Sequence, residues 1–191
     1  MIDNKRIFWL LVATLGMVAG AAHADRFSDT TTLFRNSNQS AQFFHENYGY
    51  AVFPTVGKGG LGIGAAHGSG HVYAHGKRIG NVTMNQVSVG FQAGGEAYSE
   101  IIFFENKSAL DDFTSGNYEF SAGVGAIAIT ASANANVGTT GGDAGSSLTK
   151  NEAATAGKYQ KGLVVFTIAK GGLMYNATVA GQKFSYQAKT S

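Results

Sequence analysis

The chain has 191 residues, with 14 Lys and Arg against 12 Asp and Glu, a formal net charge of +2 at pH 7 and no cysteine. The missing thiols exclude disulfides, thiol catalysis and a lipid anchor attached through cysteine. The basic residues form no cluster or stripe, so binding to nucleic acid is not expected.

Residues 1–24 have the pattern of a secretory signal peptide. Lys5 and Arg6 precede an apolar run, and Ala22-His23-Ala24 is a small-residue cleavage site. A membrane anchor is the alternative, but the run is shorter and more polar than the roughly 20 apolar residues that a spanning helix needs. We therefore expect export across the inner membrane and a periplasmic protein, either free or peripheral on the envelope.

Residues 26–48 carry aromatic side chains at helical spacing, which predicts one or two short helices. Pro54, the only proline, falls where the pattern changes to apolar runs rich in glycine. Turn signals then arrive every few residues and predict an antiparallel meander of short strands. They are Lys58-Gly59-Gly60, Gly68-Ser69-Gly70, His75-Gly76-Lys77 and Gly94-Gly95.

Polar and apolar residues alternate over residues 87–93, which predicts a strand with one dry face that includes Val87. The unbroken apolar run 101–104 predicts a buried strand. Asn106 is positioned to cap a short helix that Gly116 would end. Each of these elements fits a sheet braced by helices.

The last third of the chain continues the β pattern around a polar segment. Residues 121–135 predict a strand with Ile127 and Ile129 on one face. Residues 136–157 hold few large apolar side chains and predict a mobile loop. Residues 162–186 predict two strands joined by a tight hairpin at Lys170-Gly171-Gly172.

Together these elements predict one domain over residues 25–191, a length that suits a single hydrophobic core. Its class is α+β and β-rich, with a curved antiparallel sheet or a partly closed barrel. The strands are expected to be short and glycine-rich, and a few short helices pack on them. Glycine disfavours helix by about 1 kcal/mol relative to alanine, which supports this choice.

Two motifs suggest a bound group, and both are weak. Residues 57–62 satisfy the glycine pattern of a dinucleotide-binding loop, but the helix that would hold the pyrophosphate is not predicted after them. His67, His71 and His75 are evenly spaced; across a hairpin at residues 68–70 the first two would face each other, while the third would lie about 13 Å away. We expect no cofactor and no metal site.

Catalysis is not expected either. The sequence has no nucleophile elbow, and three carboxylates, Glu96, Glu100 and Glu105, cluster after the glycine-rich strand. A carboxylate pair catalyses proton transfer when its pKa values are separated, which nothing in the sequence indicates. We interpret the three as solvated charges at the end of a strand.

Three phrases resemble a known family: YAVFPTVGKGGLGIGAAHGSGH, VGFQAGGEAYSEIIFFENKSALDDF and VVFTIAKGGLMYNATVAG. The chain resembles the SYLF or Ysc84-type lipid-binding family over roughly Leu33 to Tyr186. The resemblance implies a secreted bacterial single-domain protein that binds lipid. Eukaryotic members are associated with phosphoinositide membranes and actin, but only Arg26 and Arg35 are basic in this N-terminal segment, and an exported protein would not meet actin in its own cell.

An anionic lipid or membrane surface is the expected partner, since aromatic side chains supply apolar area and nearby cations can meet phosphate. The aromatics at helical spacing can equally pack on their own sheet. The candidate lipid-binding residues are Arg26, Phe27, Phe34, Arg35, Phe43, Phe44, Lys58, Lys77, Arg78 and Lys170.

Two other classes stay open. An integral outer-membrane β-barrel also has a signal peptide and aromatic strands, but it needs about 9 to 11 residues of alternation per strand, and the expected strands here are shorter. A structural or partner-binding envelope protein would share every feature of this sequence.

Overall fold

The structure, a computed structural model, describes residues 26–120, 126–129, 158–172, 179 and 181–190. The predicted leader 1–24 and the predicted loop 136–157 lie outside them. The α+β, β-rich class is confirmed, because the described residues form a six-stranded sheet that curls into a half-barrel with short helices packed on it. The elements are α1 (26–35), α2 (Phe43–Glu46), β1 (Gly49–Ala74), β2 (Lys77–Phe104), α3 (Lys107–Thr114), β3 (Asn117–Glu119), β4 (Ala126–Ile129), β5 (Leu163–Gly172) and β6 (Lys183–Ala188).

The helices confirm the predictions made for them. α1 and α2 account for the aromatic spacing before β1, and their phenylalanines point to the sheet. The Asn106 side chain caps α3 by accepting a 3.0 Å hydrogen bond from the backbone N–H of Ala109. Gly116, with φ of +124°, follows the end of the helix, where a residue with a side chain would be strained.

The expected meander of short strands is wrong. β1 has 26 residues and β2 has 28, and they form one long antiparallel hairpin. Of the predicted turns in this region, only His75-Gly76 is a turn, with φ of 47° and 75° at its two residues, as tight hairpins require. The remaining glycine groups lie inside the strands, where shifts of register mark bends in a ladder that continues past them.

Several glycines of β1 allow close contact between parts of the same strand, because β1 turns back so that its two halves lie side by side. A Cβ atom on Gly49 would lie 2.5 Å from the carbonyl oxygen of Tyr73, at the other end of the strand. A Cβ atom on Gly70 would lie 2.7 Å from the ring of Phe53, and one on Gly60 would collide with the carbonyl group of Ile63. Hydrogen side chains at these positions are therefore a condition of the fold.

β2 is the strand that joins the sheet together. β1 pairs along its whole length, while on its other edge β6 pairs with residues 80–85 and β5 with residues 96–104. β3 lies beyond β6 and β4 beyond β5. The hairpin predicted at residues 170–172 is wrong, because β5 runs through them to Gly172.

The sheet is mixed, whereas an antiparallel one was expected. β4 pairs with β5 in parallel, with Ala126 opposite Val165 and Ile129 opposite Ile168. A parallel pair needs a crossover of a dozen residues or more, and residues 130–162 supply that length.

The core occupies both faces of the curled sheet. The run 101–104 is fully buried, as predicted, and its alternate residues serve the two faces. Ile102 and Phe104 join the cluster inside the half-barrel, while Ile101 and Phe103 lie outside under α1 and α2. Within the described residues, no helix has the length and apolar character needed to cross a membrane.

Candidate functional site

Most of the predicted lipid-binding phenylalanines belong to the core. Phe34 and Phe43 are buried, and Phe43 contacts the rings of Phe103 and Phe166, with centroid distances of 5.7 and 5.2 Å. Phe27 is buried too and stacks on His71 with the ring centroids 3.5 Å apart. These side chains hold α1 and α2 against the sheet. The helical spacing of the aromatic residues was consistent with this packing role as well as with lipid binding.

Three other predicted residues, Arg35, Phe44 and Arg78, lie at the surface around two tyrosines that were not predicted. Tyr50 and Tyr73, from the two ends of β1, stack with ring centroids 4.9 Å apart; we call them the tyrosine pair. The Arg35 guanidinium lies 5.0 Å from the ring centroid of Phe44, which packs edge-on against Tyr50. Arg78 bonds to Asn81 and acts electrostatically on Tyr73. Two cations thus flank one half-buried aromatic surface.

The pKa values of the tyrosine pair reflect this setting. Burial raises the pKa of the Tyr50 hydroxyl, with a further rise from Tyr73, while the positive charge of Arg35 and a hydrogen bond with Thr31 act in the opposite direction. Burial likewise raises the pKa of Tyr73, and Arg78 opposes the rise. Both hydroxyls are therefore neutral hydrogen-bonding groups at physiological pH.

Two of the remaining predicted cations, Lys58 and Lys170, contact partners elsewhere in the sheet. The Lys58 side chain is only 7% exposed, and its ammonium lies 3.3 Å from the carboxylate of Glu96. Lys170 donates a 3.1 Å hydrogen bond to the hydroxyl of Thr55. Lys77 is exposed at the hairpin turn beside Arg78, and Arg26 is exposed on α1. Lys58 and Lys170 were both predicted in turns, which is wrong because they lie within β1 and β5.

The histidines do not face one another as the predicted hairpin required. His67 lies opposite Asn85, with its Nδ1 atom 2.8 Å from the amide oxygen, and His71 lies opposite Asn81. His75 packs edge-on against Tyr48 at the turn. Among the described residues, no three side chains of the metal-binding types are grouped to hold an ion. The dinucleotide-like glycines of residues 57–62 lie within β1.

The interpretation of the glutamates as solvated charges is wrong for two of the three. Glu96 pairs with Lys58, and Glu100 is fully buried inside the half-barrel. Gln182 donates hydrogen bonds to Glu100 Oε2 at 3.0 Å and to the Tyr98 hydroxyl at 3.2 Å. Burial raises the pKa of Glu100 to about 7, and the bond from Gln182 offsets only a fraction of that rise. The sequence gives no local signal for the contact of Glu100 and Tyr98 with Gln182, because Gln182 is more than 80 residues away along the chain.

A further surface feature was not predicted. Leu61, Ile63 and Val87 are 84%, 65% and 72% exposed, near the middle of the hairpin, where β1 turns back on itself. We call these three residues the apolar rim. Val87 was expected on a dry face, but its side of the ladder is the outer one here, since the buried neighbours are Met84 and Gln86.

The fold and these surfaces define a small β-rich domain in which a half-barrel, braced by short helices, presents cationic aromatic and apolar surfaces. Residues 85–190, more than half of the chain, match the sequence model of a family described as "Ysc84: Las17-binding protein actin regulator". The chain therefore belongs to the Ysc84 (SYLF) family, which is associated with lipid binding and is not a known enzyme family.

Among curated proteins the chain is similar to Beta cell expansion factor A of Aeromonas veronii. The two are 28% identical over 155 residues, which are 80% of this chain and 51% of that protein. The chain thus spans about half the length of this relative.

Proposed function

We propose that this protein is a non-enzymatic lipid-binding module of the bacterial cell envelope that attaches to anionic membrane surfaces. The observation that carries the proposal is the placement of Arg35 and Arg78 on either side of the half-buried tyrosine pair. The family's association with lipid binding supports the same class of ligand.

The chemistry of this surface suits a phosphate-bearing headgroup. Guanidinium groups donate paired hydrogen bonds to phosphate oxygens, and their weak hydration lowers the free-energy cost of leaving water. Tyr50 and Tyr73 present apolar ring area with polar hydroxyls, a combination that favours the membrane–water interface. Each cation near an anionic leaflet contributes about 1 kcal/mol, so the two arginines together account for roughly a 30-fold change in partitioning.

The cellular setting is included in the proposal. The leader predicted at residues 1–24 would deliver the mature chain to the periplasm, where it would lie peripherally on the envelope. The near-neutral charge argues against nucleic acid as a partner, and no cofactor is proposed. The actin role named in the family description concerns other members, and export from the cytoplasm argues against it for this chain.

Flotation of lipid vesicles tests the proposal. The processed protein, without the predicted leader, should float with phosphatidylglycerol-containing vesicles, should bind neutral phosphatidylcholine vesicles less, and should lose the difference in high salt. The double variant Arg35→Gln/Arg78→Gln should bind anionic vesicles about 30-fold more weakly.

The matched control is Lys107→Gln/Lys183→Gln, which also removes two positive charges. These lysines are exposed and pair with Asp111 and Glu119, away from the tyrosine pair. Equal losses in the two double variants would show that only net charge matters and would contradict the site. Absence from every vesicle type would contradict lipid binding itself and favour a structural or partner-binding role.

A further inference from the structure

The apolar rim is the main apolar surface that the half-barrel leaves uncovered. Leu61, Ile63 and Val87 are three of the four large hydrophobic side chains that are exposed among the described residues. Contiguous exposed apolar side chains on a folded domain indicate a place of interaction.

The rim is one surface because its strands are paired. Ala65 lies opposite Val87, and Ile63 lies two residues before Ala65 on the same outer face. Leu61 precedes Ile63 on that face, at the point where Gly60 and Ile63 approach closely and β1 reverses direction. The three side chains therefore project together from one end of the half-barrel.

The hairpin segments that carry the rim have no formally charged side chains. From Gly59 to Gly76 and from Ile79 to Gly95 the sequence has no Lys, Arg, Asp or Glu. Lys58 and Glu96, the first charges beyond the rim, are turned inward and paired with each other. A protein-binding patch usually has an aromatic or arginine-rich centre and a polar rim, whereas uncharged aliphatic side chains beside glycines suit hydrocarbon.

We propose that the apolar rim inserts into a lipid bilayer at the boundary between headgroups and acyl chains. This inference rests on the proposed function and identifies the side chains that enter the membrane. The rim and the tyrosine pair lie on the same outer face of the β1–β2 hairpin. The tyrosine pair is at the two ends of β1, and the rim is near the middle of the ladder. A molecule lying along the bilayer therefore contacts headgroups with Arg35 and Arg78 and contacts acyl chains with Leu61 and Ile63.

A single-tryptophan reporter tests the insertion. Trp9 is the only tryptophan, so Trp9→Phe supplies a background in which Leu61→Trp reports from the rim. Asn117→Trp, on exposed β3 at an outer edge of the sheet, is the matched control. With phosphatidylglycerol vesicles that carry brominated acyl chains, Leu61→Trp should shift to the blue and be quenched, and Asn117→Trp should not.

A second pair of changes tests the energetics without a probe. Leu61→Ser/Ile63→Ser should weaken vesicle binding about 100-fold, since each substitution removes most of a large apolar side chain from the contact. Its circular dichroism spectrum and urea midpoint should stay those of the unchanged protein, because both side chains are exposed.

The outcomes separate this inference from the proposed function. If the protein floats but Leu61→Trp is not quenched, the insertion is wrong and lipid binding by the arginines stands. If Leu61→Trp is already blue-shifted without lipid, a second copy or another segment of the chain covers the rim, and the insertion is again wrong. If no variant floats with any vesicle, both proposals fail.

Discussion

Replacing Glu100 by glutamine should remove a pH dependence of stability that arises inside the half-barrel. Glu100 is fully buried, its Oε2 accepts one hydrogen bond from Gln182, and its Oε1 has no hydrogen-bond partner among the described residues. Burial raises the pKa from the ordinary 4.5 to about 7. Between pH 4.5 and pH 7, the folded protein therefore keeps a proton on Glu100 that the unfolded chain has already released.

The sign and size of the effect follow from this difference. Because the folded state binds more protons between pH 4.5 and 7, the free energy of unfolding falls as the pH rises through that range and then levels off. One pKa unit corresponds to about 1.4 kcal/mol, so Glu100 should lower the free energy of unfolding by about 2 to 3 kcal/mol between pH 5 and pH 8. Glutamine keeps the shape and the hydrogen bond but cannot ionise.

Urea unfolding at pH 5 and pH 8, followed by circular dichroism, measures the effect. From pH 5 to pH 8, the free energy of unfolding of Glu100→Gln should rise by about 2 to 3 kcal/mol relative to that of the unchanged protein. Glu119→Gln, at an exposed carboxylate, should run parallel to the unchanged protein. Parallel curves for Glu100→Gln as well would show that Glu100 ionises at its ordinary pH and is hydrated in the folded state.

Three further predictions address the fold and its processing. Gly70→Ala should lower the free energy of unfolding by about 1 to 3 kcal/mol, because the new methyl group meets the buried ring of Phe53. Gly57→Ala, with open space around it, should change the free energy of unfolding by less than about 0.5 kcal/mol. Equal effects of the two substitutions would refute the folding back of β1. Asn106→Ala should cost about 1 kcal/mol in urea unfolding through loss of the α3 cap, and an unchanged midpoint would show that the cap contributes nothing. Protein released by osmotic shock without detergent should begin at Asp25 and lack tryptophan emission, and emission from Trp9 would mean that the leader is retained.

The sequence predicted what depends on local pattern. Aromatic spacing located α1 and α2, Asn106 located the start of α3, and the apolar run 101–104 was correctly predicted as buried. Each of these depends on residues within a few positions of one another, where periodicity and capping act.

The sequence misled where glycine has two possible meanings. Gly60 and Gly68 satisfy a turn pattern, but here Gly60 allows a close local contact with Ile63 and Gly68 lets the halves of one strand approach, and no local signal separates these uses. The Lys58–Glu96 pair and the tyrosine pair join positions that are 38 and 23 residues apart, so their contacts depend on a register that the sequence pattern does not reveal. The exposure of Val87 depends on the same register.

The central position of β2 decides where this domain tolerates change. β1, β5 and β6 all bond directly to β2, so an insertion within residues 80–85 or 96–104 would disturb two neighbouring strands together. The turn at His75-Gly76 is exposed at the far end of the hairpin from the apolar rim. That turn lies between Tyr73 and Arg78, so a label placed there would disturb the proposed contact with headgroups, whereas the exposed Ser115 after α3 belongs to no strand and suits a fluorescent label or an affinity tag.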